Sequence, residues 1–122
     1  MSGMMPVYLK QRGKDGKKLI AGYLDGKIFR KTVEYSKHHL KTPSGWAIDA
    51  EVFDLLPRYG ALVIQVLDRE TSKLYAVKVA TFRENMVPVV IERGCGKQYA
   101  LADSFWMVGD GRHLRRELQT RA

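Results

Sequence analysis

The stretch VYLKQRGKDGKKLIAGYLDGKIFRKTV, residues 7–33, decides how the first third of the chain folds. It carries two Asp-Gly pairs, Asp15-Gly16 and Asp25-Gly26, set between short alternating runs. Asp-Gly in that setting is a strong hairpin signal, because a two-residue type I′ turn needs positive φ at both central positions. The spacing predicts antiparallel strands over 7–12, 18–24 and 27–33, with opposite residue numbers summing to 31 across the first turn and 51 across the second. Alternation then sends Val7, Leu9, Ile20, Leu24, Phe29 and Val33 to one face, the expected core side. The other face collects Tyr8, Lys10, Arg12, Leu19, Ala21, Tyr23, Ile28, Arg30 and Thr32.

That second face is the best candidate for function. Tyr8 and Tyr23 are expected opposite each other, Lys10 opposite Ala21 and Arg12 opposite Leu19, with Arg30 beyond Ala21 on the third strand. Tyrosine rings offer stacking platforms for unpaired bases, and long cations reach phosphates or base edges. A twisted ribbon of strands can also enter the major groove of a duplex. Lys14, Lys17 and Lys18 add positive charge at the tip of the first turn. The competing reading packs Tyr8, Leu19, Tyr23 and Ile28 against a second sheet as core, leaving Lys10 and Arg30 at the rim.

The charge distribution points the same way. The chain has 122 residues and a net charge of +8, unevenly placed. Residues 1–45 carry +7, residues 46–92 carry −2, and residues 93–122 carry +3. Clustered Lys and Arg favour a polyanionic partner, because they release the counterions condensed on a phosphate backbone. The single cysteine, Cys95, excludes an intrachain disulfide framework and fits a reducing compartment. No signal peptide and no stretch near the ~20 apolar residues of a membrane span is read, so a cytoplasmic protein with no membrane partner is expected.

Downstream, polar residues 34–45 read as a loop crossing back over the sheet. Asp49 is a good N-cap for a short helix over 50–56, with Val52, Phe53 and Leu56 on its packing face and Pro57 and Gly60 ending it. Residues 62–68 and 74–81 form a second hairpin whose strands are apolar on both sides, hence central or covered. Residues 88–93 make a further strand, with Pro88 tolerable at its first position. Residues 94–101 are expected to turn the chain, and Phe105, Trp106 and Met107 to plug the core. Trp46, Phe53, Phe82, Phe105 and Trp106 read as core aromatics. Residues 113–120 suggest a short basic helix.

Other constellations read as structural. Gly94-Cys95-Gly96-Lys97 lacks the spacing, the final Ser or Thr and the following helix of a phosphate loop, so it reads as a turn. Arg93 and Lys97 can still touch a backbone phosphate from it. His38, His39, Asp49, Glu51, Asp68 and Glu70 are the raw material of a metal-dependent nuclease. Adjacent histidines in an extended segment point to opposite sides, however, and Lys78 has Ala76 where a second acid belongs. Asp49 is explained as a cap, and Asp68 and Glu70 as turn residues.

The expected architecture is α+β: an antiparallel, β-rich small domain over residues 1–108, with a basic C-terminal tail over 109–122. It comprises the N-terminal three-stranded meander, a second hairpin and strand, and one short covering helix, with a partly open β-barrel as the alternative. The expected function is non-catalytic binding of DNA or RNA. Its contacts come from Tyr8, Lys10, Arg12, Lys14, Lys17, Lys18, Tyr23 and Arg30, from Arg93 and Lys97, and from Arg112, Arg115 and Arg116 in the tail. No catalytic residue, metal or cofactor is assigned. A protein-interaction or assembly module docking through the same face, including a homo-oligomer, is the second reading, and the nuclease is the third.

Overall fold

The computed structural model describes residues 4–12, 16, 18–33, 41–42, 45–69, 72–91 and 96–109. Ten strands are described in chain order. They are β1 (Met4–Arg12), β2 (Lys18–Asp25), β3 (Ile28–Val33), β4 (Lys41–Thr42) and β5 (Gly45–Asp49). The others are β6 (Val63–Asp68), β7 (Lys73–Lys78), β8 (Val87–Ile91), β9 (Gly96–Leu101) and β10 (Met107–Val108). Helix α1 (Ala50–Leu55) runs on into a 3-10 turn at Leu56–Tyr59, and α2 is Val79–Asn85. The strands form a six-stranded sheet in the order β1-β2-β3-β6-β7-β10 and a four-stranded sheet in the order β4-β5-β9-β8. The fold is α+β and β-rich, with no closed barrel. No helix among the described residues is long and apolar enough to cross a membrane.

The N-terminal meander forms, but its register differs from the expected one. The second turn centres on Gly26 and Lys27, so Asp25 faces Ile28 and Tyr23 faces Arg30. Gly26 takes φ of 60° at the first central position, where a type II′ turn requires glycine. The opposite numbers therefore sum to 53, not 51. Across the first hairpin Val7 faces Gly22 but Tyr8 faces Ile20, and the strand shifts register again before Arg12 faces Lys18. The skipped residue is Ala21, a bulge that lets both Ala21 and Gly22 bury while Ile20 turns outward, 48% exposed. Ile20 is thus not a core residue, and neither Lys10 with Ala21 nor Arg12 with Leu19 forms a facing pair.

The parallel pairing of β3 with β6 joins the meander to the second hairpin in one sheet. Parallel neighbours need a crossover, and here β4, β5 and α1 supply it. That crossover brings β5 and α1 onto the inner face of the large sheet. The main core gathers Val7, Leu24, Phe29, Ile64, Val66 and Val77 from the six-stranded sheet with Ile48 and Leu101 from the other. Val52, Phe53 and Leu56 of the first helical segment and Val79 and Phe82 of α2 close it. Trp46, Phe53, Phe82 and Trp106 are buried as expected, whereas Phe105 is 37% exposed and Met107 lies exposed on β10. On the opposite face Ile28, Val63 and Ala76 make a second, smaller buried cluster. β6, buried at five of its six positions, is central.

Two elements depart from expectation. Residues 79–81 belong to α2, not to a strand: the ladder with β6 ends where Lys78 faces Val63. Val79 and Phe82, three apart, then both bury on one helical face. Residues 96–101 form strand β9 rather than a turn, pairing with β5 on one side and β8 on the other. Asp49 caps α1 as expected, its carboxylate accepting from the Glu51 and Val52 amides at 2.9 and 3.2 Å. α1 ends just ahead of Pro57, as expected, and the chain continues as a 3-10 segment with Pro57 in its first turn, which Gly60 closes at φ 72°. Asp68 is no turn residue: it ends β6, is 4% exposed and faces Lys73.

Candidate nucleic-acid interface

The outer face of β1–β3 is built by the alternation that buries Val7, Leu24 and Phe29 on the other side. Tyr8 is 44% exposed and Tyr23 39% exposed. They are diagonal neighbours rather than a facing pair, because Tyr23 sits opposite Pro6 and Tyr8 opposite Ile20. The ammonium of Lys18 lies over the Tyr8 ring, 5.2 Å from its centroid. Arg30, directly across from Tyr23, holds Asp25 at 2.9 Å. The Arg30 Nε is buried with no hydrogen-bond partner, so the stem of this side chain is packed and only its tip reaches out.

The other expected contact residues are spread differently. Lys10 and Arg12 lie on β1, and Arg12 faces Lys18. Lys97 belongs to β9 of the four-stranded sheet, where its ammonium sits 5.4 Å from the Tyr99 ring centroid. It is not on the sheet that bears Tyr8 and Tyr23. Lys14, Lys17, Arg93, Arg112, Arg115 and Arg116 lie outside the described residues, as do His38, His39, Glu70, Cys95 and the tail from residue 110. Of the loop expected over 34–45, residues 34–40 and 43–44 also do, and residues 41–42 and 45 belong to strands β4 and β5 instead. Among the described residues no group of three or more His, Cys, Asp or Glu gathers to hold a metal.

One polar cluster was missed by reading residue types alone. Lys31 points inward from β3, and its Nζ donates to the Ala21 carbonyl at 3.2 Å, at the bulge. Burial pushes the Lys31 ammonium below its ordinary pKa, and the Asp49 carboxylate pulls weakly the other way. Asp49 in turn accepts from the buried Gln98 at 3.3 Å while its other oxygen caps α1. The signal was present in the alternation, since Lys31 shares the parity of Phe29. This cluster joins the sheets and leaves the outer face with one cation fewer than the chain's charge count implies.

Comparison with known protein families, with curated proteins and with solved structures finds no match to this chain.

Proposed function

We propose that this protein binds nucleic acid, DNA or RNA, through the outer face of β1–β3 and without catalysing a reaction. The observation that carries the reading is the pair of exposed tyrosines, Tyr8 and Tyr23, with Lys18 over one ring and Arg30 across the strand from the other. Rings displayed beside cations on a sheet can stack on bases while the cations hold phosphates. Lys10 and Arg12 belong to β1, and the net charge of +8 supplies long-range attraction. A single cysteine fits a reducing compartment such as the cytoplasm.

Fluorescence anisotropy with labelled single- and double-stranded oligonucleotides tests this. With about four phosphates contacted, affinity falls roughly a hundredfold between ~50 and ~200 mM salt. Changing Tyr8 and Tyr23 together to Leu weakens binding to single strands by about tenfold or more, since stacking contributes about 1–3 kcal/mol per base. A salt-independent or absent interaction rejects the proposal.

A second reading rests on the same surface. β1 is an edge strand of the six-stranded sheet; Met4, 43% exposed, shares the face of Tyr8 and Tyr23, and Met5, 44% exposed, shares the parity of Val7. An edge with exposed apolar side chains is a docking template for another chain. Sedimentation equilibrium separates the two: a tight homo-oligomer broken by Met4→Lys favours docking, a monomer that binds oligonucleotide favours the first reading.

A further inference from the structure

The seam between the two sheets holds a cavity of about 170 Å³, remote in sequence from the meander. The described residues lining it are Trp46 of β5, Tyr75 of β7, and Asp103 and Trp106 from the segment joining β9 to β10. Trp46 meets Tyr75 edge to face, with centroids 4.7 Å apart and planes at 82°. Trp46 and Trp106 are tilted by 47° with centroids 5.6 Å apart. The Trp106 indole donates to the Leu101 carbonyl at 3.4 Å, which fixes that ring's orientation.

These angles select the class of occupant. No two of the paired walls are parallel, so a flat heterocycle stacks on one ring at most. A rounded group can touch several ring faces together, and those faces carry the negative end of the aromatic quadrupole. Among the described lining residues the charged one is a carboxylate, Asp103, and none is a cation. Elsewhere this basic chain places its own cations on its rings: Lys18 on Tyr8, Arg83 on Phe53 and Lys97 on Tyr99. Among the described residues none lies over Trp46, Tyr75 or Trp106.

We propose that this cavity binds a small organic cation, a quaternary or methylated ammonium group, held by the rings of Trp46, Tyr75 and Trp106. Cation and ring attract when the charge lies within about 6 Å of the centroid, most strongly for Trp. Methylated ammonium is favoured over a bare lysine ammonium because its methyl groups tolerate loss of water and fill an apolar-walled space.

The chain has two tryptophans, and both line the cavity, so intrinsic tryptophan emission reports on it directly. The full chain is titrated with choline and, separately, with 3,3-dimethylbutan-1-ol, which has the same shape without the charge. Choline produces a saturable change, and the neutral isostere binds about tenfold more weakly or less. A peptide bearing trimethyllysine, run beside its unmethylated form, distinguishes a protein-borne cation from a free one by whichever binds tighter. Absence of a saturable response to both choline and the methylated peptide overturns the proposal. So does an equal response to choline and its isostere, a comparison that needs no variant to fold.

Discussion

The side chain of Phe82 stacks on that of Phe53, with centroids 4.9 Å apart and planes at 30°, and so fastens α2 to α1. The contact belongs to a continuous aromatic series. Phe53 meets Tyr99 at 5.5 Å, Phe82 meets Trp106 at 6.1 Å, and Trp106 leads on through Trp46 to Tyr75. The series runs from the four-stranded sheet through both helices to the six-stranded one, and each pair adds about 0.5–1.5 kcal/mol beyond its burial.

Phe82 is fully buried in the middle of this series. Phe82→Ala removes two ring contacts and leaves a cavity beneath α2, which costs about 3–5 kcal/mol. Urea denaturation followed by far-UV circular dichroism checks this. A loss under about 1 kcal/mol would mean that the helices are held by something other than their rings.

Gly22 sits at a close approach between β2 and β3. A Cβ built there lies 2.6 Å from the Arg30 carbonyl oxygen and 2.7 Å from Cζ of Phe29. The obstacle is backbone, and Phe29 is fully buried, so neither can yield cheaply. Gly22→Ala is therefore destabilising by about 1–3 kcal/mol despite alanine's lower conformational entropy cost. A neutral or stabilising result in a thermal melt would refute the close approach.

Lys31 makes stability depend on pH in a defined direction. Its folded-state pKa is lowered by burial, so between that value and the ordinary lysine value of 10.5 the unfolded chain binds more protons than the folded one. The penalty for burying the charge is full below the folded pKa and is relieved as pH rises from there toward 10.5. Compared with Lys31→Met, the wild-type protein therefore gains relative stability as pH is raised toward about 10. Melting temperatures of the two proteins run in parallel across that range would show instead that the ammonium is solvated.

Parts of this architecture are visible in local residue patterns. The Asp-Gly pairs announced two hairpin turns, Asp49 announced its helix, and doubly apolar residues 62–68 announced a central strand. The register was not visible, because nothing local distinguishes a turn on Asp25-Gly26 from one on Gly26-Lys27. Nor does Ala21-Gly22 advertise a bulge. α2 was hidden because Val77, Val79 and Thr81 alternate like a strand. β9 was hidden behind glycines that resemble a turn. Of the proposed interface, the outward direction of Tyr8 and Tyr23 followed from parity with Val7 and Leu24. Their diagonal placement did not.

Sequence alone determined what each short segment prefers: turns where glycine tolerates positive φ, a cap where a carboxylate can reach free amides, and a surplus of positive charge toward the N-terminus. Those are properties of a few neighbouring residues and need no distant partner. The tertiary structure alone decided that β3 lies parallel to β6, that Lys31 turns inward to Ala21 and Asp49, and that Trp46, Tyr75 and Trp106 meet around one cavity. These arrangements depend on contacts between residues tens of positions apart, whose energies arise only when two sheets close over a shared core.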